Sequence, residues 1–298
     1  GKEGEIISGK INTIFQASNG NIYVSSVRGT SVFNGTSFKT TSYNPTIKNN
    51  QVSDVNVFFE DSNDNFWAGT NTGGLFRLNK IDFSVLEQYK LDPGNPKSFA
   101  SSTVYDIIET KNGILLFGTG GEGLFIYNKE TNDFDRLTYK NGLPSNTVVS
   151  MVEDKQGEVW AGTRNGVSKI NIETKQVQNY NTSDGLTDRT LSAGALIAGN
   201  YGKIYFGGPR GVSYTDPLSV ETNPTHPRLS LTKVLALDGS NKSTEIDFSS
   251  DSIKVFHETQ TIEVNFVGLS FTKSEKNHYK YFLENHNTSW VKNGTNKK

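Results

Sequence analysis

Cysteine is absent from this 298-residue chain, and that absence excludes disulfides, thiolate catalysis and zinc–sulfur sites together. It leaves the compartment open, because a cysteine-free chain suits an oxidising or a reducing one. Long hydrophobic runs are missing too. None approaches the roughly 18 apolar residues that mark a membrane-spanning helix. The opening Gly1-Lys2-Glu3-Gly4 lacks the apolar stretch of a signal peptide, so any export signal or anchor is expected outside this segment. Neither sign of charge dominates: 30 basic side chains meet 31 acidic ones, a net of −1. With no basic block, the electrostatic footprint of a nucleic-acid binder is lacking. Histidine is scarce, and His226, His257, His278 and His286 all lie toward the C-terminus. None forms a close helical pair, so neither a metal site nor a cofactor is expected.

Apolar residues make up 34% of the chain, aromatics 11%, and there are 29 glycines. This is enough for a core built from short strands and tight turns. The organisation shows as a repeat. NGNIYVSS from Asn19, DNFWAGT from Asp64, NGILLFGT from Asn112, QGEVWAGT from Gln156 and YGKIYFGG from Tyr201 align on Tyr23, Trp67, Leu116, Trp160 and Tyr205, spaced 44, 49, 44 and 45 residues apart. Gly20, Gly113, Gly157 and Gly202 stand three residues before four anchors, with Asp64 in the second copy. Gly29, Gly73, Gly166 and Gly211 stand six residues after, and Gly123 seven after. Each copy reads as an antiparallel meander: an apolar strand such as Val148 to Asp154, a turn, the anchor strand, a glycine turn, then strands such as Gly166–Ile170 and Gln176–Tyr180. Four strands at this period make a β-propeller blade, whose faces are buried only by stacking on neighbours. The predicted class is all-β, with about five four-stranded blades that either close by themselves or form part of a larger ring.

The pattern Glu153-Asp154-x-x-Gly157-x-Val159-Trp160-Ala161-Gly162-Thr163-x-x-Gly166-Val167 resembles the two-component regulator propeller repeat. From Leu229 a different strand pattern begins, through Ile262–Phe266, Leu269–Phe271, Tyr279–Glu284 and Trp290. It is similar to the Y_Y_Y domain, a small β-sandwich, with Asn285 in place of the usual glycine. The expected domains are blades over 1–217 (the repeats themselves from about 8), a proline-rich connector over 218–227, and part of a sandwich over 228–298. The resemblance implies the periplasmic sensor of a membrane-anchored hybrid histidine kinase, one that binds glycan fragments and works as a homodimer. It also implies that this chain is a fragment of a longer sensor. Pro217, Pro224 and Pro227 suggest a stiff elbow that passes the signal on.

Several motifs carry a duller meaning than their form. Gly118-Thr119-Gly120-Gly121-Glu122-Gly123 satisfies the dinucleotide fingerprint, which works only between a strand and a helix; here it falls on a blade hairpin. Asp61-Ser62-Asn63-Asp64-Asn65 begins like a calcium loop, but Phe66 and Thr72 stand where glycine and glutamate are needed. Glu60, Glu109 and Glu153 recur at one blade position, as turn-capping residues do. No catalytic residue is assigned. A propeller-based glycosidase or polysaccharide lyase, and a protein-binding scaffold, are the rival readings.

Loop polarity gives the candidate site. In a four-stranded meander, the second hairpin and the connection to the next blade share one face. That face collects Arg28, Asn71, Thr72, Arg164, Asn165, Pro209 and Arg210 from hairpins, and Ser102, Asn146, Arg189 and Thr190 from connections. Arginine offers a planar donor fork for carboxylate, sulfate or ring hydroxyls. The candidate ligand-binding set is Arg28, Asn71, Thr72, Asn146, Arg164, Asn165, Arg189 and Arg210, with an oligosaccharide, particularly an acidic one, as the ligand.

Overall fold

The computed structural model describes residues 9–42, 52, 54–220, 228–240, 242–249, 252–269 and 279–294. It divides into two units, Gly1–Val220 and Glu221–Lys298.

In the first unit, every copy of the repeat is one antiparallel sheet. Blade one is β1 (Ile11–Gln16), β2 (Ile22–Ser26), β3 (Gly29–Phe33) and β4 (Phe38–Ser42). Blade two is β5 (Val55–Glu60), β6 (Phe66–Thr70), β7 (Leu75–Leu78) and β8 (Val85–Tyr89). Blade three is β9 (Val104–Glu109), β10 (Leu115–Thr119), β11 (Leu124–Asn128) and β12 (Asp133–Leu137). Blade four is β13 (Val148–Glu153), β14 (Val159–Thr163), β15 (Gly166–Ile170) and β16 (Val177–Tyr180). The fold class is therefore all-β, built of meander blades.

Blade five departs from the expectation of four strands. Its described sheet has three: β17 (Leu196–Ala198), β18 (Ile204–Gly208) and β19 (Gly211–Thr215). After Thr215 the chain turns into a short 3₁₀ segment, Pro217–Ser219, in which the Asp216 carboxylate accepts from the Leu218 N–H. An Asp-Pro pair starts a helical turn rather than a hairpin, because proline fixes φ and needs no donor at that position.

The anchors form the seams. Tyr23 packs with Phe58 and Phe66 of blade two, Trp67 with Phe117 and Phe134 of blade three, Leu116 with Met151 and Val148 of blade four, and Trp160 with Phe206 of blade five. All four anchors are no more than 1% exposed. Each of them is thus a large side chain sealed by the next blade, worth about 1.5–3 kcal/mol or more on burial. The Gly of Ala-Gly-Thr lets that next blade come close: a Cβ on Gly162 would lie 2.7 Å from Leu196 Cδ1.

The register corrects one position of the repeat. The glycine that takes positive φ after the second-blade hairpin is Gly74, at φ 80°, not Gly73. Blade two therefore has the longer hairpin that the sequence shows only in blade three.

The second unit holds a three-stranded antiparallel sheet, in spatial order β21 (Ser243–Glu245), β20 (Arg228–Leu237), β22 (Thr261–Leu269), and a hairpin of β23 (Tyr279–Tyr281) with β24 (Val291–Gly294). Val234, Ala236 and Ile246 form its buried cluster. Phe266 meets Tyr279 edge-on at 4.9 Å, and the Tyr279 hydroxyl accepts from the Gly268 N–H. The strand expected over Ile262–Phe266 runs on to Leu269. Phe271 and most of the proline-rich elbow, including Pro224 and Pro227, lie outside the described residues.

Candidate functional site

The hairpins of one blade face are built by a threonine and a glycine. Thr70, Thr119 and Thr163 end their anchor strands buried, and their hydroxyls donate to the carbonyls of Gly74, Gly123 and Gly166 at 2.8–2.9 Å. The same hydroxyls accept backbone N–H groups from the hairpin tips at Gly73, Glu122 and Asn165. Each hairpin is thereby closed from within and needs no helix behind it, which settles Gly118–Gly123 as a strand-to-strand turn.

A second recurring set of bonds joins these hairpins into a rim. The N–H groups of Gly74, Gly123 and Gly166 donate to the carbonyls of Ser102, Asn146 and Arg189, each on the connection to the following blade, at 2.6–2.8 Å. Asn71, Gly120 and Arg164 donate to Asp54, Thr103 and Thr147, where their own blade begins. The Thr103 hydroxyl adds a bond to the Asn71 carbonyl. Backbone polar groups at the loops are thus paired with one another, and the side chains point off a braced ledge.

The candidate residues take up different places on it. Arg164 and Asn165 form the exposed tip of the fourth-blade hairpin, and the Asn165 amide donates to the Pro144 carbonyl. Arg189 stands exposed on the next connection. Arg210 is at the tip of the fifth-blade hairpin, its side chain 79% exposed and its Nε 3.9 Å from Asp188. The Asp188 side chain is only 15% exposed, but at 3.9 Å the contact is long and the guanidinium itself remains accessible. Asn71 and Thr72 are exposed on the second-blade hairpin. Asn146 is already engaged, because its side-chain oxygen accepts from the Tyr139 N–H. Arg28 lies on the first-blade hairpin, its N–H held by the Ser26 hydroxyl.

The opposite face is a set of clamps. The Glu60 carboxylate accepts from the Ser18 N–H and hydroxyl of blade one, and Glu109 does the same with Ser62 of blade two. Glu153 accepts from the Lys111 N–H of blade three. The recurring glutamates therefore cap turns, as their position suggested. Burial pushes the Glu60 carboxyl up, but hydrogen bonds from Lys80 and Ser18 outweigh it and hold it at about 2. Asp61, which starts the calcium-like stretch, is committed to its hairpin: it accepts from the N–H groups of Asn63 and Asn65 and from the Trp67 indole at 2.9 Å. Asp154 repeats this with Gln156, Glu158 and the Trp160 indole. No group of three or more potential metal-ligating His, Cys, Asp or Glu side chains occurs among the described residues.

Two features escaped the sequence reading. Asp106, on the inner strand of blade three, accepts from the Met151 N–H of blade four at 2.5 Å and from the Ile107 N–H. Burial pushes its carboxyl up to about 7. A cavity of about 230 Å³ lies between the loop preceding β9 and the outer strand of blade three, lined by Pro93, Pro96, Phe125, Phe134 and Arg136 among others. Its signal was the 49-residue spacing, the longest between anchors, which accommodates this extra loop.

Comparison with known proteins agrees with the repeat. Residues 142–165 match the family described as two component regulator propeller. The chain is 25% identical over 248 residues to histidine kinase P4 of Formosa agariphila, covering 79% of this chain and 18% of that kinase. Among solved structures, the extracellular domain of the hybrid two-component system BT3049 from B. thetaiotaomicron superposes with a TM-score of 0.68 at 24% identity, over 97% of this chain and 40% of that one. PorZ of Porphyromonas gingivalis, a surface component of the type-IX secretion system, gives 0.52 at 17% identity, over 86% of this chain and 40% of that one. The chain thus spans about a fifth of the kinase and two fifths of each of these solved chains.

Proposed function

We propose that this chain is ligand-sensing material from the extracytoplasmic part of a two-component sensor, and that it binds an oligosaccharide without transforming it. The parent receptor would be membrane-anchored, periplasmic on this side and homodimeric, with a histidine kinase beyond the membrane. The second unit would be the beginning of a Y_Y_Y-like sandwich that relays the signal. The kinase relative and the extracellular two-component domain support this setting.

The observation that carries the ligand reading is the braced rim. Its backbone groups pair with one another, and it presents Arg164, Asn165, Arg189 and Arg210 exposed on blades four and five and Asn71 and Thr72 exposed on blade two. Guanidinium forks with amides and hydroxyls match the acidic groups and ring hydroxyls of an acidic glycan. Ligand binding signals only through differential affinity for two receptor states, so no reaction is required at the rim. The test is titration of sulfated or uronic-acid oligosaccharides and their neutral counterparts into wild type and an Arg164→Ala, Arg210→Ala variant. Acidic sugars should bind at least about tenfold more weakly to the variant, a loss of about 1.4 kcal/mol. Equal binding of acidic and neutral sugars to both proteins contradicts the reading.

A further inference from the structure

The clamp face carries one seam whose chemistry is incomplete. In blade two, Glu60 is met by the Lys80 ammonium at 2.7 Å and by the Ser18 hydroxyl. In blade three, Glu109 is met by Lys129 at 3.3 Å and by the Ser62 hydroxyl. Register fixes the equivalent positions in blade four. Asn79, Asn128 and Asn171 each start the turn after the third strand, and each caps it through its side-chain oxygen. The next residue is Lys80, Lys129 and then Ile172. The serine position, likewise, is Ser18, Ser62 and then Lys111.

The seam between blades three and four therefore lacks both the ammonium and the hydroxyl while keeping the carboxylate. Lys111 supplies only its backbone N–H to Glu153; its ammonium donates instead to the Asp154 carbonyl at 2.7 Å. Among the described residues, no cation lies within ion-pair distance of Glu153. In place of the lysine there is space. A cavity of about 150 Å³ opens at this seam, lined by Glu153, Glu173, Asn112, Gln156, Ile114 and Ile172, among others.

We propose that this cavity, between blades three and four on the face opposite the arginine rim, binds a small primary alkylammonium ligand such as a polyamine. The ligand replaces the lysine that the two preceding blades carry. Ile114 and Ile172 provide an apolar wall for a methylene stem, as apolar surface does for a lysine stem. Glu153 receives the ammonium, with Asn112 and Gln156 as further acceptors. Glu173 at the rim of the cavity suits a second amine. The described residues offer no cluster of three potential metal ligands here, so an organic cation fits better than a metal ion. A hydrogen-bonded charge pair that is only partly exposed is stronger than a free surface pair.

The test is a titration of 1,4-diaminobutane, followed by the chemical shifts of labelled protein, with 1-butanol and sodium chloride as controls. Wild type should show saturable shifts confined to the turns around Lys111–Ile114, Glu153–Gly157 and Asn171–Glu173, and 1-butanol none. Glu153→Gln, which preserves shape, should weaken binding at least tenfold. Ile172→Lys, which restores the ammonium of blades two and three, should abolish it. Should the lysine variant fail to fold, the glutamine variant decides. Absence of saturable binding to wild type, or equal binding to wild type and Glu153→Gln, overturns the proposal.

Discussion

Blades four and five differ more than their sequences do. Both have the anchor, the turn glycine three residues before it and the hairpin glycine six residues after it. In blade four the anchor Trp160 is 1% exposed, sealed by blade five. In blade five Tyr205 is only half-buried, and its partners on the same face, Ile197 and Tyr214, are 63% and 62% exposed. The hairpin glycines differ in the same sense. A Cβ on Gly166 would lie 2.3 Å from the carbonyl of Tyr180 on the fourth strand, whereas one on Gly211 would meet nothing within 4 Å. The repeat specifies a blade, but the tightness of each position comes from the strand or blade that covers it.

The largest expected effect that separates the two is at the anchors. Trp160→Ala should cost about 3–5 kcal/mol, the usual cost of a deeply buried aromatic. Tyr205→Ala should cost no more than about 1.5 kcal/mol. Urea unfolding of both variants checks this, and equal losses break the comparison. The glycines come next. Gly166→Ala combines positive φ with a clash against backbone and should cost about 2–4 kcal/mol. Gly211→Ala carries only the conformational term, about 1–2 kcal/mol.

A different contrast lies in pH dependence, where two seams respond in opposite directions. Burial raises the Asp106 carboxyl to about 7 in the folded protein, against 3.8 for a free aspartate. Its contribution is full below about pH 4 and is lost as pH rises through 7, because the buried charge is disfavoured. Glu60 sits at about 2 against 4.5. Its contribution is present above about pH 4.5 and is lost as pH falls toward 2. Against Asp106→Asn, wild type should lose stability as pH rises from about 4 to 7 and level off above that; against Glu60→Gln, it should lose stability as pH falls from 4.5 to 2. Melting curves across pH test both, and parallel profiles for wild type and variant contradict the assignment.

Much of this architecture was legible because a repeat prints each blade several times. The anchors, the first turns and the loop polarity followed from spacing alone. The bond from Asp61 to Trp67 and from Asp154 to Trp160 went unread, yet the copies contain it. Six residues before a tryptophan anchor stands aspartate; before Tyr23, Leu116 and Tyr205 stand Ala17, Thr110 and Gly199. An indole needs an acceptor when buried, and only those two copies supply a carboxylate. Asp106 was not legible, since Val57 and Ser150 hold its place in neighbouring blades, and its burial depends on blade four. Among the described residues blade five shows three strands, and Asp216-Pro217 starts the short 3₁₀ segment that follows the third. At the site, the sequence placed the loops on one face, but the engagement of Asn146 with Tyr139 is a tertiary fact that no spacing reveals.

The most direct test of the sensor reading is calorimetric titration of acidic oligosaccharides into the chain, with chromatographic analysis of the sugar afterwards. The account predicts saturable binding and recovery of the oligosaccharide at its original length. Shortened or unsaturated products would contradict it and would make the braced rim a catalytic surface.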